Sequence, residues 1–176
     1  MAVGLVGVLI GAFLYLQHTE PAWYARLKYP LRYDAIVRGY AQQRRLDPAF
    51  LAAVIETESK FDPEARSSAG AVGLMQLTPD TARGIAQYTH GSKFQLSDLT
   101  NPDINVRYGT WYLRHLLDKY HDERLALAAY NAGQTTVDGW IAQHEEIQFS
   151  QTRAYVDKVE NLKKLYRRVY ANELGY

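Results

Sequence analysis

The chain has no cysteine among its 176 residues. Disulfides, thiolate metal sites and cysteine nucleophiles are therefore excluded. The absence does not fix a compartment, but it lets the chain fold outside the cell without oxidative help. An excess of charge of either sign is also lacking. Lys and Arg number 20 against 19 Asp and Glu, a formal net charge of +1. No strongly basic surface is available to hold a phosphate backbone, so no nucleic-acid partner is expected. The five histidines are scattered, and His144-Glu145-Glu146 has no second histidine four residues on, which removes the zincin motif. A GxSxG elbow and a GxxxxGK phosphate loop are missing as well. Neither a metal nor a cofactor is expected. No stretch alternates apolar and polar residues with a period of two, and no internal repeat is present.

Charge is absent altogether from the first sixteen residues, MAVGLVGVLIGAFLYL. The run from Ala2 to Leu16 falls slightly short of the roughly 17–25 residues that a bilayer-spanning helix wants. Gln17, His18 and Thr19 extend it at an interface, and Tyr15, Trp23, Tyr24 and Tyr29 suit an aromatic belt. A cleaved signal peptide competes with an anchor, but there is no basic segment before the run and no small-x-small site after it. Arg26, Lys28 and Arg32 come after the run and nothing charged precedes it. Read literally, the positive-inside rule would leave the remainder of the chain in the cytoplasm. Residues 1–19 are read as a transmembrane signal-anchor, 20–32 as a connector punctuated by Pro21 and Pro30, and 33–176 as the main domain.

What the chain does have is helical periodicity and tyrosine. Tyr33, Ile36, Val37 and Tyr40 recur at helical spacing and predict a helix over 33–45. Asp47-Pro48, Thr78-Pro79 and Asn101-Pro102 each place a capping side chain before a proline suited to the first helical turn. They start helices at 48, 79 and 102. Asp122 caps a helix ending at Gly133, 136–142 forms another turn of helix around Trp140, and Ser150 opens the last. Lys158, Lys163, Lys164, Arg167 and Arg168 read as the solvated face of that last helix. Residues 89–101 read as a polar loop. The expectation is an all-α globular domain of about seven helices, built by helix-on-helix packing and preceded by an N-terminal apolar helix. The 14 tyrosines suit a sugar-binding groove, although amphipathic core filling also accounts for most of them.

One stretch organises the rest: ETESKFDPEARSSAGAVGLMQ, residues 56–76. Leu51, Val54 and Ile55 lie seven, four and three residues before Glu58, so Glu58 continues the apolar stripe of its helix. Glu56 is turned well away from that face. Desolvation raises a carboxyl's pKa, and a carboxylic acid that keeps its proton near neutrality can serve as a general acid. A buried Glu paired with an Arg, or capping a backbone group, explains the same spacing, and the helix alone does not choose between the two. Ser59 fits a local hydrogen-bond partner better than a nucleophile. The surviving chemistry, a carboxyl beside tyrosines and amides, suits glycoside cleavage, which needs a proton on the leaving oxygen.

Glu58-Ser59, then Gly73-Leu74-Met75-Gln76, then Ala129-Tyr130-Asn131-Ala132-Gly133, in this order and at these intervals, resemble the catalytic domain of the soluble lytic transglycosylases of bacterial cell walls. Thr152-Arg153-Ala154-Tyr155-Val156 resembles that family's fourth motif. The resemblance covers about Tyr33 to Tyr170. It implies a lysozyme-like fold and non-hydrolytic cleavage of the β-1,4 bond between N-acetylmuramic acid and N-acetylglucosamine, leaving 1,6-anhydromuramoyl ends. It implies that Glu58 is the single catalytic acid and base. It also implies that Ser59, Met75, Gln76, Tyr130, Asn131, Gln151 and Tyr155 serve substrate binding. Tyr130 would donate a hydrogen bond to Glu58 or to the sugar, Gln76 would bond an acetamido group, and Met75 would pack on a sugar face. Packing and turn formation are the structural alternatives for these three. One departure stands out: the family usually has Glu before the Thr-Arg of the fourth motif, where this chain has Gln151, so weaker or altered substrate binding is expected. The implied partner is peptidoglycan, which places the domain on the extracytoplasmic side of the membrane. A goose-type lysozyme hydrolase, a non-catalytic murein-binding scaffold and a membrane-tethered helical module are the alternatives.

Overall fold

A computed structural model of the chain describes residues 6, 10, 11, 13, 15, 16, 19–89 and 94–176. The chain divides into two compact units, Met1–Leu31 and Arg32–Tyr176. Most of the expected signal-anchor over 1–19 lies outside the described residues. Of those described, Val6, Ile10, Phe13 and Tyr15 are helical and exposed. Among the described residues no helix is long and apolar enough to cross a membrane. The expected connector contains a helix, α1 (Ala22–Lys28). Its sequence, AWYARLK, is rich in good helix formers, and the prolines at 21 and 30 flank it rather than interrupt it.

Among the described residues, the regular elements of the second unit are helices, beside two isolated bridges that join Val72 to Arg66 and to Leu77. Its elements are α2 (Asp34–Arg44), α3 (Pro48–Ser59), α4 (Pro79–Tyr88), a 3₁₀ helix (Leu96–Thr100), α5 (Pro102–Tyr120), α6 (Glu123–Ala132), α7 (Gln134–Ala142), α8 (Ser150–Val169) and α9 (Ala171–Leu174). Each of the seven expected helices is present among these. The additions are short. The 3₁₀ turn sits inside the expected polar loop, where the Asp98 carboxylate accepts from the Gln95 N–H at 2.8 Å. A single turn shows no periodicity to read. The four residues of α9 come after a break at Tyr170, whose φ of −123° leaves the helical region.

The central element is α3. Residues Ala49 to Glu56 are all buried, so this helix is enclosed on every side rather than amphipathic. It packs along α8 and also against α2. Fully buried Phe50, Leu51 and Ile55 each contribute on the order of 1.5–3 kcal/mol by leaving water. Asp47 starts the helix as expected, accepting from the N–H groups of Ala49 at 2.9 Å and Phe50 at 3.4 Å. The same carboxylate accepts from Arg167 of α8 and from the Tyr176 hydroxyl, which ties the C-terminus to the start of the core helix. The orientation expected for Glu56 is the one observed. It does point away from the face of Glu58, but the side it points to is also interior. Glu56 is only 4% exposed and its carboxylate accepts from Tyr166 at 3.4 Å. Local periodicity cannot show that a helix is covered on both sides.

Candidate active site

The last turn of α3 presents Glu58, and the chain then reverses. Lys60 and Phe61 both adopt left-handed backbone angles, with φ of +54° and +59°. Phe61 is fully buried and its ring meets Tyr166 edge-on at 6.3 Å. The reversal returns residues 65–77 against the end of α3. Val72 and Leu77 exchange backbone hydrogen bonds at 3.0 and 3.1 Å, closing Gly73-Leu74-Met75-Gln76 into a tight loop.

Three polar side chains hold that loop. The Ser59 hydroxyl donates to Leu74 O at 2.8 Å, and also lies 3.2 Å from Ile55 O. Ser59 thus joins α3 to the loop, and its donor is engaged with backbone. The Gln76 amide nitrogen donates to Ala65 O and to Gly73 O, both at 3.0 Å. Asn105, fully buried on α5, accepts from Met75 N–H at 2.7 Å and donates to Val72 O at 2.9 Å and Leu99 O at 2.8 Å. Gly73 is required beside it. Its φ is +82°, and a Cβ there would lie 2.3 Å from both Asn105 Nδ2 and Leu99 O. The Met75 side chain does not face outward as a sugar platform. It is fully buried against Gly109, where an added Cβ would come within 2.3 Å of the sulfur. The missing side chain at 109 makes the space Met75 fills.

Two tyrosines complete the wall, and their roles differ from expectation. Tyr155 of α8, not Tyr130, donates to Glu58 Oε1, at 2.7 Å. Tyr130 of α6 donates to Met75 O at 2.7 Å, and its ring lies 5.5 Å from that of Tyr112. Asn131 is exposed and its side-chain oxygen accepts from Thr152 at 2.9 Å, which links α6 to α8. Gln151 is exposed in the first turn of α8. Glu58, Ser59, Met75, Gln76, Tyr130 and Tyr155 therefore converge, whereas Asn131 and Gln151 are exposed on α6 and α8.

Burial drives the electrostatics. Desolvation raises the Glu58 carboxyl from 4.5 to about 7, against the opposing pull of the Tyr155 hydrogen bond and the Lys158 charge. Burial and the charge on Glu58 push the phenols of Tyr155 and Tyr130 well above their usual range. Both remain neutral donors. Among the described residues only Oε1 of Glu58 is engaged, so Oε2 is free to carry the acidic proton. No three His, Asp or Glu side chains converge among the described residues. Sequence reasoning misses two contributors. Asn105 lies four residues past the helix-start signal Asn101-Pro102, and an amide that close to a cap carries no local mark of its burial. Lys158 belongs to the expected solvated face, yet its charge reaches both Glu58 and Glu56.

A carboxylic acid held half-protonated near neutrality, with a neutral phenol on one oxygen and an open second oxygen, defines a helical domain equipped for general acid–base chemistry. The chain belongs to the transglycosylase SLT domain family, which matches residues 35–152. It is 30% identical over 152 residues to the soluble lytic murein transglycosylase of Escherichia coli, covering 80% of this chain and 24% of that one. It is 31% identical over 173 residues to the membrane-bound lytic murein transglycosylase C of Histophilus somni, covering 81% of this chain and 48% of that one. The structure of an inactive mutant of lytic transglycosylase Slt from Pseudomonas aeruginosa superposes with a TM-score of 0.78 at 31% identity, over 85% of this chain and 26% of that one. The chain spans about a quarter of the length of the soluble relatives it matches.

Proposed function

We propose that the chain is a peptidoglycan lytic transglycosylase that cuts the β-1,4 bond between N-acetylmuramic acid and N-acetylglucosamine without water. The carrying observation is the Glu58 carboxyl, raised to about 7 by burial and hydrogen-bonded at Oε1 by Tyr155. Glu58 passes its proton to the glycosidic oxygen, and the bond from muramoyl C1 to that oxygen breaks. The N-acetylglucosamine side leaves as an alcohol. The substrate's own acetamido oxygen stands in for an enzyme nucleophile at C1. The Glu58 carboxylate then takes the proton of the muramoyl 6-hydroxyl as O6 bonds to C1. The anhydro ring closes and the acid is restored for the next cut. One carboxyl in both steps is a variation on the two-carboxylate scheme of glycosidases.

Tyr155 fits this cycle. Its hydrogen bond is stronger to the carboxylate than to the acid, so it stabilises the anion formed after proton transfer. Asn105, Ser59 and Tyr130 fix the loop of residues 72–77 opposite, which holds the acid's surroundings rigid. Gln151 keeps the length and acceptor oxygen of the family's Glu but not its charge, so weaker or altered substrate binding is expected.

Product analysis on purified murein tests the function. Anhydro ends are lighter by one water than the reducing ends a hydrolase leaves. Wild-type protein should release anhydro-muropeptides, and Glu58→Gln should release them far more slowly. Reducing-end products, or unchanged release by the variant, refute the reading. For location, the uncharged apolar start supports a signal-anchor that holds the domain on the extracytoplasmic face, where murein lies. The domain should be digested by protease added to intact spheroplasts, and full protection would refute this placement.

A further inference from the structure

A cavity of about 240 Å³ opens where the C-terminal ends of α2 and α4 meet α5. Arg44 comes from α2, Ile85 and Thr89 from α4 and its cap, and Arg107, Tyr108 and Trp111 from α5. Its apolar lining is well packed. Ile85 and Tyr108 belong to a buried cluster with Val72, Leu77 and Leu99, and Trp111 packs against that cluster. The two charged members are both arginines, and neither has a counter-ion. Arg44 is half-buried, and its Nε is fully buried with no hydrogen-bond partner among the described residues. Arg107 is exposed, with its guanidinium over the Tyr108 ring, 5.4 Å from the centroid. All 19 Asp and Glu residues are among the described residues, and none comes within 4.0 Å of either guanidinium. Asp103 stands one helical turn before Arg107, but its carboxylate accepts from the Tyr40 hydroxyl at 3.0 Å instead. Both arginine charges bear on that same hydroxyl, which places them in one neighbourhood. Arg38, Arg114 and Lys163, the other half-buried cations described in the second unit, each pair with a carboxylate, at 2.7, 2.6 and 2.7 Å. Arg44 breaks that pattern.

We propose that this cavity is a phosphate-binding site, in which the Arg44 and Arg107 guanidiniums clamp one phosphate group, either the free ion or the terminal phosphate of an ester. Charge selects phosphate. A phosphate monoester carries about −1.5 to −2 near neutrality, whereas a carboxylate carries a single charge, and two unpaired guanidiniums match the former. Size selects a group rather than a whole molecule, because 240 Å³ lies below the roughly 300–1,000 Å³ of small-molecule sites. Geometry agrees. The planar fork of arginine offers parallel N–H donors to phosphate oxygens, and the unpartnered Nε of Arg44 is one such donor. The apolar lining screens these charges less than open water would, so an anion seated there is held more strongly. A half-buried guanidinium without a partner is costly, and a bound anion relieves that cost. The site uses neither Glu58 nor its hydrogen-bond partner, and it goes beyond the reaction proposed above.

The test is calorimetric titration of inorganic phosphate into the full chain at neutral pH, with sodium chloride holding the ionic strength fixed. Phosphate should bind with a Kd of about 1 mM or tighter. Arg44→Met and Arg107→Met keep an aliphatic stem and drop the charge, and each should weaken binding by about tenfold or more. Arg44→Lys should recover only part of the loss, because an ammonium lacks the fork. Thermal unfolding guards against misfolding. In phosphate-free buffer Arg44→Met should melt no lower than wild type, since it removes a half-buried charge that has no partner. Saturating phosphate should then raise the melting temperature of wild type and leave that of the variant unmoved. Glycerol phosphate identifies the source. Binding as tight as that of inorganic phosphate assigns the site to the phosphate end of a larger molecule, and a marked loss assigns it to the free ion. Phosphate binding that is absent, or that survives unchanged in both Arg44→Met and Arg107→Met, overturns the site. Acetate binding as tightly as phosphate overturns the choice of anion.

Discussion

The two ends of α3 carry carboxyl groups of nearly the same chemistry in opposite states. At the N-terminal end burial opposes the charge on Asp47, but hydrogen bonds from Tyr176 and Ala49 N–H and the charges of Arg167 and Lys163 outweigh it. They hold the carboxyl below its usual value of 3.8. At the C-terminal end burial dominates, and Glu58 rises to about 7. The backbone dipole acts in the same sense, favouring an anion at the first turn and disfavouring one at the last. Asp47 is thus a permanently charged clamp and Glu58 an acid that can give up a proton and retake it. Depth and partners both separate them: Glu58 is the more deeply desolvated and has one hydroxyl, whereas Asp47 has two cationic side chains within 4.0 Å.

The largest expected effect comes from removing the acid. Glu58→Gln should lower the rate of anhydro-muropeptide release by about 10²–10⁴-fold, the range of general acid–base contributions. The same substitution should stabilise the fold at alkaline pH. Because the folded pKa is raised, the native state binds more protons than the unfolded state between pH 4.5 and about 7, and wild-type stability falls as pH rises through that window. The variant escapes this loss, so thermal unfolding should show it more stable by up to roughly 3 kcal/mol at pH 8 and equal at pH 4.

Opening the enclosed middle of the helix should damage both ends together. Leu51→Ala should cost about 2–5 kcal/mol in denaturant unfolding, in line with a cavity in a packed core. Tyr155→Phe sharpens the contrast by removing the one partner of Glu58. That hydrogen bond lowers the Glu58 pKa, so its loss should move the alkaline limb of the pH–rate profile up by about one unit while the fold survives. At the other end, Asp47→Ala should cost about 0.5–2 kcal/mol as a lost cap. Its sign with pH is reversed. The Asp47 contribution is present above pH 3.8 and disappears as pH falls through the lowered folded value, so wild type and variant should converge in acid unfolding.

How much of the molecule can be read from the chain depends on where the information lies. Asp47-Pro48, Thr78-Pro79 and Asn101-Pro102 announce helix starts because a cap acts within three residues. The position of Glu58 on an apolar stripe is likewise local. The bond from Tyr155 to Glu58 spans 97 positions and that from Asn105 to Met75 spans 30, and nothing in either neighbourhood encodes the partner. Tyr130 is the natural candidate for Glu58 because its motif is the more conspicuous. The helix crossing instead brings α8 alongside α3 and leaves Tyr130 to the loop carbonyl. The burial of Glu56 is not local either: its place off the apolar stripe is legible, but the second covering layer is not.

The central claim is that the folded chain keeps a proton on Glu58 at neutral pH, and carbon-13 NMR titration of that carboxyl reads it directly. The account predicts a midpoint of about 7, with Asp47 titrating below 3.8 in the same spectra. A Glu58 midpoint at its ordinary 4.5 would mean the carboxyl is ionised when murein arrives, and would contradict the account.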